Sequence, residues 1–240
     1  MGEVVMLAVP ALVVVLAAFS QAVTGFGFAL VAVPLLSVVV GPQHAVVSVT
    51  AIAALLAGTV AVRHRDAVDV PAARTFVLTG FLGAPLGLAV LLLVDAATLT
   101  VLVGVVVLVA VVAMLFRVRA TGRRTQLGAG VLGGTLLTAT GMNGPPIVIG
   151  LDGRGLRPVE FRATIQVVFC TQGAVAFALF AASGLVDRTV LGLVATYVIA
   201  LPVGWTVGAK LFDRMDARHF RGAMLLMLSA SALVALGSAL

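Results

Sequence analysis

The chain is a succession of apolar runs, most of them long enough to cross a lipid bilayer. About 20 apolar residues in an α-helix cover the ~30 Å of hydrocarbon, where every backbone N–H and C=O group needs a partner within the protein. The pattern therefore predicts an all-α, polytopic integral membrane protein with about eight to ten hydrophobic segments. The predicted segments cover residues 4–22, 26–40, 44–62, 75–94, 97–116, 126–140, 143–151, 160–182, 189–210 and 219–239.

Composition excludes several classes of protein. Of the 240 residues, 62% are hydrophobic and only 10% are charged, which leaves no soluble surface for a separate catalytic domain. Cys170 is the only cysteine, so we expect neither an internal disulfide nor a thiolate metal cluster. No metal, cofactor or nucleic-acid partner is expected. The first apolar run lacks a cleavage signal and is interpreted as a retained span.

The basic residues predict the orientation of the chain in the membrane. Nearly all of them fall in four clusters, over residues 63–74, 117–124, 154–162 and 210–221. Arginine and lysine collect in cytoplasmic loops, so these clusters are predicted to be cytoplasmic and to account for the net charge of +6. The expected location is the inner or plasma membrane, crossed several times.

The two halves of the chain resemble each other. Thr24-Gly25 and Thr140-Gly141 lie 116 residues apart, and Pro42 and Pro158 keep the same spacing. The turn at Pro42 has no Lys or Arg, whereas the turn around Pro158 has three Arg, which places equivalent loops on opposite sides of the membrane. We therefore predict two inverted repeats, residues 1–117 and 118–240, as in many secondary transporters.

Two stretches break the apolar pattern. The stretch ATGMNGPPIVIG covers residues 139–150, and VTGFGF covers residues 23–28. Glycine allows unusual backbone angles, and proline suits the first turn of a helix. Non-helical backbone at membrane depth is tolerated only when it is buried or lines a wet cavity. Each break is therefore predicted to be a broken or re-entrant helix with an N-terminus deep in the membrane.

A helix N-terminus attracts anions through its partial positive charge and free N–H groups. We predict that inverted symmetry brings the two breaks together as an anion cradle at the repeat interface. The hydroxyls of Thr24 and Thr140 could either face the anion or bond a helix carbonyl. The predicted substrate-binding residues are Thr24, Gly25, Gly27, Ser48, Thr140, Gly141, Asn143, Gly144, Pro145, Arg162, Thr164 and Gln166.

The charged residues refine this hypothesis. No Asp or Glu lies in the middle of a predicted span, which favours an anionic or neutral substrate over a cation or a proton relay. Arg162 has two interpretations, a cytoplasmic anchor or a cavity residue that attracts the anion. The glycines at 83, 87, 204 and 208 are attributed to close helix packing. No HExxH or GxSxG motif is present, so we do not expect an enzyme.

Two longer stretches resemble the paired signatures of the sulfite exporter TauE/SafE family, also called the toluene sulfonate uptake permease family. They are SQAVTGFGFALVAVPLL and TATGMNGPPIVIGLDGRGLRPVEFRAT. In the first stretch, Phe26 and Phe28 interrupt the glycines. The resemblance implies a multi-pass inner-membrane permease for sulfite, sulfonates and related organic acids. The positions that it assigns to the signatures are Gly25, Gly27, Pro34, Gly141, Asn143, Gly144, Pro145, Arg162 and Thr164.

The preferred hypothesis is a secondary transporter of small anions that works by alternating access. An anion channel and a non-transporting membrane accessory protein remain alternatives, because a pore can use the same helix termini. The expected partners are a small anionic substrate and the lipid bilayer, with a homo-oligomer left open.

Overall fold

The structure, a computed structural model, describes the backbone of residues 2–116, 122–212, 233 and 237. It describes the side chains of residues 10–21, 25–116, 122–202, 204–206, 233 and 237. Within these residues the fold is helical, with no strand. The helices are α1 (Gly2–Thr24), α2 (Phe28–Val40), α3 (Pro42–Arg63), α4 (Val70–Leu93), α5 (Ala96–Leu115), α6 (Arg123–Thr140), α7 (Gly144–Asp152), α8 (Pro158–Ala182) and α9 (Arg188–Phe212), with a 3-10 turn at Arg65–Ala67.

The helices confirm the prediction of an all-α, polytopic membrane protein. Each of the first nine predicted segments corresponds to one helix, and the tenth, residues 219–239, lies outside the described residues. Among the residues that the structure describes, five stretches are long and apolar enough to cross a bilayer, namely Pro42–Arg63, Val70–Leu93, Ala96–Leu115, Pro158–Ala182 and Arg188–Thr206. α2 and α7 are shorter than a full span, as the sequence predicts for helices that begin at a break.

The chain divides into two compact units. Unit 1 comprises Met1–Val49, Asp95–Val112 and Val186–Leu240, and unit 2 comprises Thr50–Val94 and Ala113–Leu185. Each unit takes segments from both halves of the sequence. The assignment of the halves 1–117 and 118–240 to two repeats stays a prediction.

In unit 1, α1 packs against α9 and α2. Gly204 of α9 faces the carbonyl oxygen of Val15, and a Cβ at this position would overlap that oxygen. This close approach confirms the predicted packing role of Gly204. At the start of α3, the His44 ring lies 3.2 Å from the carboxylate of Asp187, which precedes α9.

In unit 2, the main contact joins α4 and α6 through glycines. A Cβ at Gly83 or Gly87 would overlap a backbone oxygen of α6, which confirms the packing role predicted for both. The hydroxyl of Thr135 donates to the Gly83 carbonyl at 3.1 Å, and that of Thr138 donates to the Ala84 carbonyl at 2.7 Å. Small residues thus bring the two backbones close enough for side-chain hydroxyls to bond across the interface.

Helix boundaries recur at the spacing of 116 residues that relates the two halves. α1 and α6 end at Thr24 and Thr140, α2 and α7 begin at Phe28 and Gly144, and α3 and α8 begin at Pro42 and Pro158. The recurrence supports duplication of the chain. The inverted orientation of the two copies stays a prediction.

Candidate functional site

The second break begins where α6 ends. Gly141 adopts a left-handed conformation with φ 74°, and its N–H donates to the Leu137 carbonyl at 2.8 Å. A side chain at this backbone angle would be strained, so the sequence needs glycine here. Asn143 then precedes α7, in a helical conformation with φ −95°, and none of its side-chain atoms caps the helix.

The start of α7 has few backbone donors. Pro145 and Pro146 occupy the second and third positions of the helix and have no N–H group, while the N–H of Ile147 already bonds the Asn143 carbonyl at 3.4 Å. The first turn therefore offers only the N–H groups of Asn143 and Gly144. This is a smaller backbone contribution than the sequence predicted, because the prolines that start the helix also remove its donors.

Two side-chain amides lie at this donor-poor start of α7. The Asn143 amide nitrogen donates to Gln172 Oε1 at 2.9 Å, and the Gln172 amide nitrogen donates to the Phe76 carbonyl at 2.9 Å. We call these three groups the amide clasp. Asn143 is 7% exposed and Gln172 is 3% exposed, so both amides are held away from solvent. The clasp joins the start of α7 to α8 and α4.

A glycine makes room for the clasp. Gly80 of α4 lies directly beside the Gln172 side chain, and a Cβ at this position would overlap the Gln172 amide nitrogen and lie 2.7 Å from its amide carbon. Gly80 lies one turn of α4 beyond Phe76, whose carbonyl the Gln172 amide bonds. The absence of a side chain at Gly80 therefore leaves the space that the amide occupies.

The first break, in unit 1, has the same backbone turn and a different side-chain partner. Gly25 has φ 81°, and its N–H donates to the Gln21 carbonyl at 2.8 Å. The Gln21 amide nitrogen donates to the Gly25 carbonyl, and Gln21 Oε1 accepts from the Phe28 N–H, both at 3.1 Å. Gly27 precedes α2 with φ −80°, as Asn143 precedes α7. Gln21 thus accepts from the first N–H of α2. In this break the side-chain partner comes from the preceding helix α1, not from a distant helix.

The predicted hydroxyl ligands bond their own helices. Thr140 donates to the Leu136 carbonyl at 2.8 Å, and Ser48 donates to the His44 carbonyl at 2.6 Å. For Thr140 this is the second of the two predicted alternatives, a hydroxyl that bonds the preceding turn. Its oxygen can still accept a hydrogen bond. The side chain of Thr24 lies outside the described residues.

The remaining predicted site residues lie near the start of α8. Thr164 is fully buried, and its hydroxyl oxygen accepts from the Asp69 N–H at 2.9 Å. Gln166 is buried, whereas Arg162 is exposed. Eight residues of helix, about 12 Å, separate Thr164 from Gln172 of the amide clasp. The role of all three in binding stays a prediction.

The hydrogen-bonding side chains at the second break are uncharged. The amide clasp contains only neutral donors and acceptors, and α7 directs its positive end toward them. Within the part of the chain that the structure describes, no group of three or more His, Cys, Asp or Glu is placed to hold a metal ion. The side-chain groups at the break include amide N–H donors, which suit an oxyanion.

Sequence reasoning identified the break and missed its partner. Gln172 has the same kind of signal as Asn143, a carboxamide within an apolar segment, and Gln21 has it too. Gln172 lies far from both breaks in the sequence, whereas Gln21 lies two residues before the first break and was not included. The pairing of Gln172 with Asn143 depends on which faces of α7 and α8 meet, and an almost uniformly apolar helix does not show this in its sequence.

One comparison with known proteins identifies a family over nearly the whole chain. A family model described as "Sulfite exporter TauE/SafE" matches residues 10–235, nearly the whole chain and both breaks. No curated protein and no solved structure matches the chain.

Proposed function

We propose a function from one premise: this chain belongs to the sulfite exporter TauE/SafE family. Membership implies a membrane transporter of small sulfur-containing anions. It agrees with the five membrane-length helices and with the short helices that begin at each break. On this basis the chain is a secondary carrier of a small sulfur oxyanion, such as sulfite or a sulfonate, and acts as a transporter rather than an enzyme.

The observation that carries the proposal is the amide clasp at the start of α7. Each carboxamide nitrogen has two hydrogens, and the hydrogen bonds of the clasp use one on Asn143 and one on Gln172. The second hydrogens, together with the Gly144 N–H, are donors suited to the oxygens of a sulfur oxyanion. Hydrogen bonds to a charged group contribute about 1.5–3 kcal/mol each, so a few such donors give useful binding without a buried cation.

The amide clasp also suits release of the substrate. A buried arginine would bind an oxyanion tightly through two parallel hydrogen bonds. Neutral amides bind it more weakly, and their own mutual bond remains when the anion leaves. A carrier needs this balance, because it has to release the substrate on the opposite side of the membrane.

The proposal also assigns substrate contacts to the first break. Thr24, Gly25, Gly27 and Ser48 remain predicted ligands, and Gln21 is added because it holds the turn between α1 and α2. Replacing Gln21 with leucine would remove both of its hydrogen bonds. If the first break contributes to binding, this variant raises the substrate concentration needed for half-maximal flux.

The test is flux into liposomes that contain the purified protein. Sulfite, a small sulfonate, sulfate and acetate are supplied in turn to wild type, to Asn143→Ala and to Gln172→Leu. Saturable flux of a sulfur anion is expected for wild type, with a loss of about tenfold or more in either variant, because donors to a charged group are removed. The double variant should lose little more than one single variant, since the two amides act as a pair.

Thr171→Val is the matched control, because Thr171 precedes Gln172 on α8 and its hydroxyl only bonds the Val167 carbonyl of its own helix. Its flux should stay near that of wild type. Unchanged flux in a well-folded Asn143→Ala protein would overturn the role of the amide clasp. Single-channel currents in place of slow saturable flux would overturn the carrier.

A further inference from the structure

A polar cavity lies in unit 2, at the arginine-rich end of α4 and α6. Its volume is about 500 Å³. The walls come from α4, from the start of α6 and from the loop after α7. On α4 the lining residues Thr75 and Leu78 flank Phe76, whose carbonyl belongs to the amide clasp, whereas Asn143 and Gln172 do not line the cavity. The lining residues are Thr75, Leu78, Thr79, Gly122, Arg123, Gln126, Leu127 and Arg154.

The lining of this cavity is positively charged. It contains Arg123 and Arg154 and no acidic residue. Arg154 is held in place, because its guanidinium donates to Gln126 Oε1 at 3.3 Å and lies 3.8 Å from Asp69 Oδ1. Arg123 has no hydrogen-bond or ion-pair partner among the residues that the structure describes. One arginine is thus positioned by the protein, and the other is available to a ligand.

The start of α6 adds to this charge. Gly122 precedes the helix with φ 95° and has no side chain to cap it, so the first N–H groups of an 18-residue helix lie at the cavity wall. The Gln126 amide nitrogen is a further donor, because only its oxygen accepts from Arg154. A guanidinium pair, an amide and a helix N-terminus together suit a phosphate group.

Part of the cavity lining is apolar and exposed. Leu78 lines the cavity and is 52% exposed, and it begins a stripe of exposed leucines along α4 that continues with Leu82 and Leu86. Residues four apart lie on one helix face, so the stripe is continuous. It extends about 12 Å from the cavity, most of the ~15 Å depth of one leaflet.

We propose that this cavity binds the phosphate of an anionic phospholipid, with an acyl chain along Leu78, Leu82 and Leu86. A soluble phosphate has the charge that suits the cavity, but it has no apolar group that would contact the leucine stripe. The leaflet on the arginine-rich side is the predicted cytoplasmic one, where anionic lipids attract basic side chains. The bound lipid contacts α4, α6 and the loop after α7, and it stabilises the unit that contains the amide clasp.

The test uses the purified full-length protein in detergent. Phosphatidylglycerol and phosphatidylcholine are titrated separately, and bound lipid is counted by native mass spectrometry. Wild type should bind phosphatidylglycerol at least tenfold more tightly than phosphatidylcholine. Arg123→Gln should lose about tenfold in affinity for phosphatidylglycerol, because it removes charged hydrogen bonds to the phosphate.

Arg124→Gln is the matched control, because it removes the same charge from the neighbouring residue, which does not line the cavity. It should bind phosphatidylglycerol as wild type does, and an equal loss in Arg123→Gln and Arg124→Gln would overturn the site. Leu82→Gln tests the acyl chain and should weaken phosphatidylglycerol binding. Two results together would overturn the lipid proposal and identify the ligand as a free anion. One is normal lipid binding by Leu82→Gln, and the other is equal competition by inorganic phosphate in wild type and Leu82→Gln.

Discussion

In the proposed site, the two neutral side chains of Asn143 and Gln172 replace backbone donors that the prolines of α7 have removed. The prolines at 145 and 146 start α7 without an unsatisfied N–H at those positions. The result is a donor-poor helix end, for which we propose that the amides of the clasp compensate. Any change that moves the Gln172 amide should therefore have the same effect as removing it.

Gly80→Ala is such a change. The added Cβ would overlap the Gln172 amide nitrogen, so the amide has to leave its bond with the Phe76 carbonyl. We expect liposome flux to fall about as far as in Gln172→Leu. The control is Gly128→Ala, because a Cβ at Gly128 meets nothing within 4 Å. Normal flux in Gly80→Ala would show that the Gln172 position does not matter for transport.

The contacts of Asp187 lead us to predict that the stability of unit 1 depends on pH. Its carboxylate accepts from the Val190 N–H at 2.8 Å and lies 3.2 Å from the His44 ring, and these contacts lower the pKa of Asp187 from its ordinary value. A lowered pKa means that the carboxylate contributes stability above about pH 4 and that the contribution is lost as the pH falls through the folded-state pKa. Unit 1 should therefore lose stability in acid.

The measurement is the thermal unfolding midpoint in detergent between pH 3 and pH 7. Asp187→Asn keeps a capping oxygen and removes the charge, so its midpoint should fall less steeply with acid than that of wild type. Asp66→Asn is the control, because the Asp66 side chain is 98% exposed. The same acid slope in wild type and Asp187→Asn would contradict the assignment.

At the scale of helices, glycine decides how closely α4 and α6 approach. A Cβ at Gly87 would overlap the Thr135 carbonyl oxygen and the Thr138 hydroxyl. Gly87→Ala should therefore lower the free energy of unfolding by about 1–3 kcal/mol, as overpacking does in other tightly packed interfaces. Gly128→Ala, on the open side of α6, should change it by less than about 0.5 kcal/mol. Equal unfolding curves for the two variants in denaturant would rule out this packing role.

Much of the helical pattern could be predicted because the signals are local. Apolar runs predicted the helices, and the two breaks predicted the starts of α2 and α7 within a few residues. Asn143 was predicted because it belongs to the break. Gln172 and Arg154 were not predicted as site residues, since each acts through a partner on another helix. Such pairings follow from helix packing, which apolar sequences specify weakly.

At the scale of the whole molecule, the inverted repeat can be tested by labelling. Gln43 and Val159 occupy equivalent positions 116 residues apart, and both are exposed. After Cys170→Ser removes the native thiol, Gln43→Cys should react with a membrane-impermeant maleimide in intact cells. Val159→Cys should react only after the cells are permeabilised. Labelling of both from the same side would exclude the inverted orientation.

Unit 1 joins the beginning of the chain to its later part, and this has a consequence for biosynthesis. α1 packs against α9, yet roughly 160 residues separate them. At about 5–20 residues per second, a ribosome needs roughly 8–30 s to make that interval. Thr50–Val94 and Ala113–Leu185, which form unit 2, are complete before α9 leaves the ribosome. Unit 1 can therefore be completed only after unit 2, when α9 reaches α1.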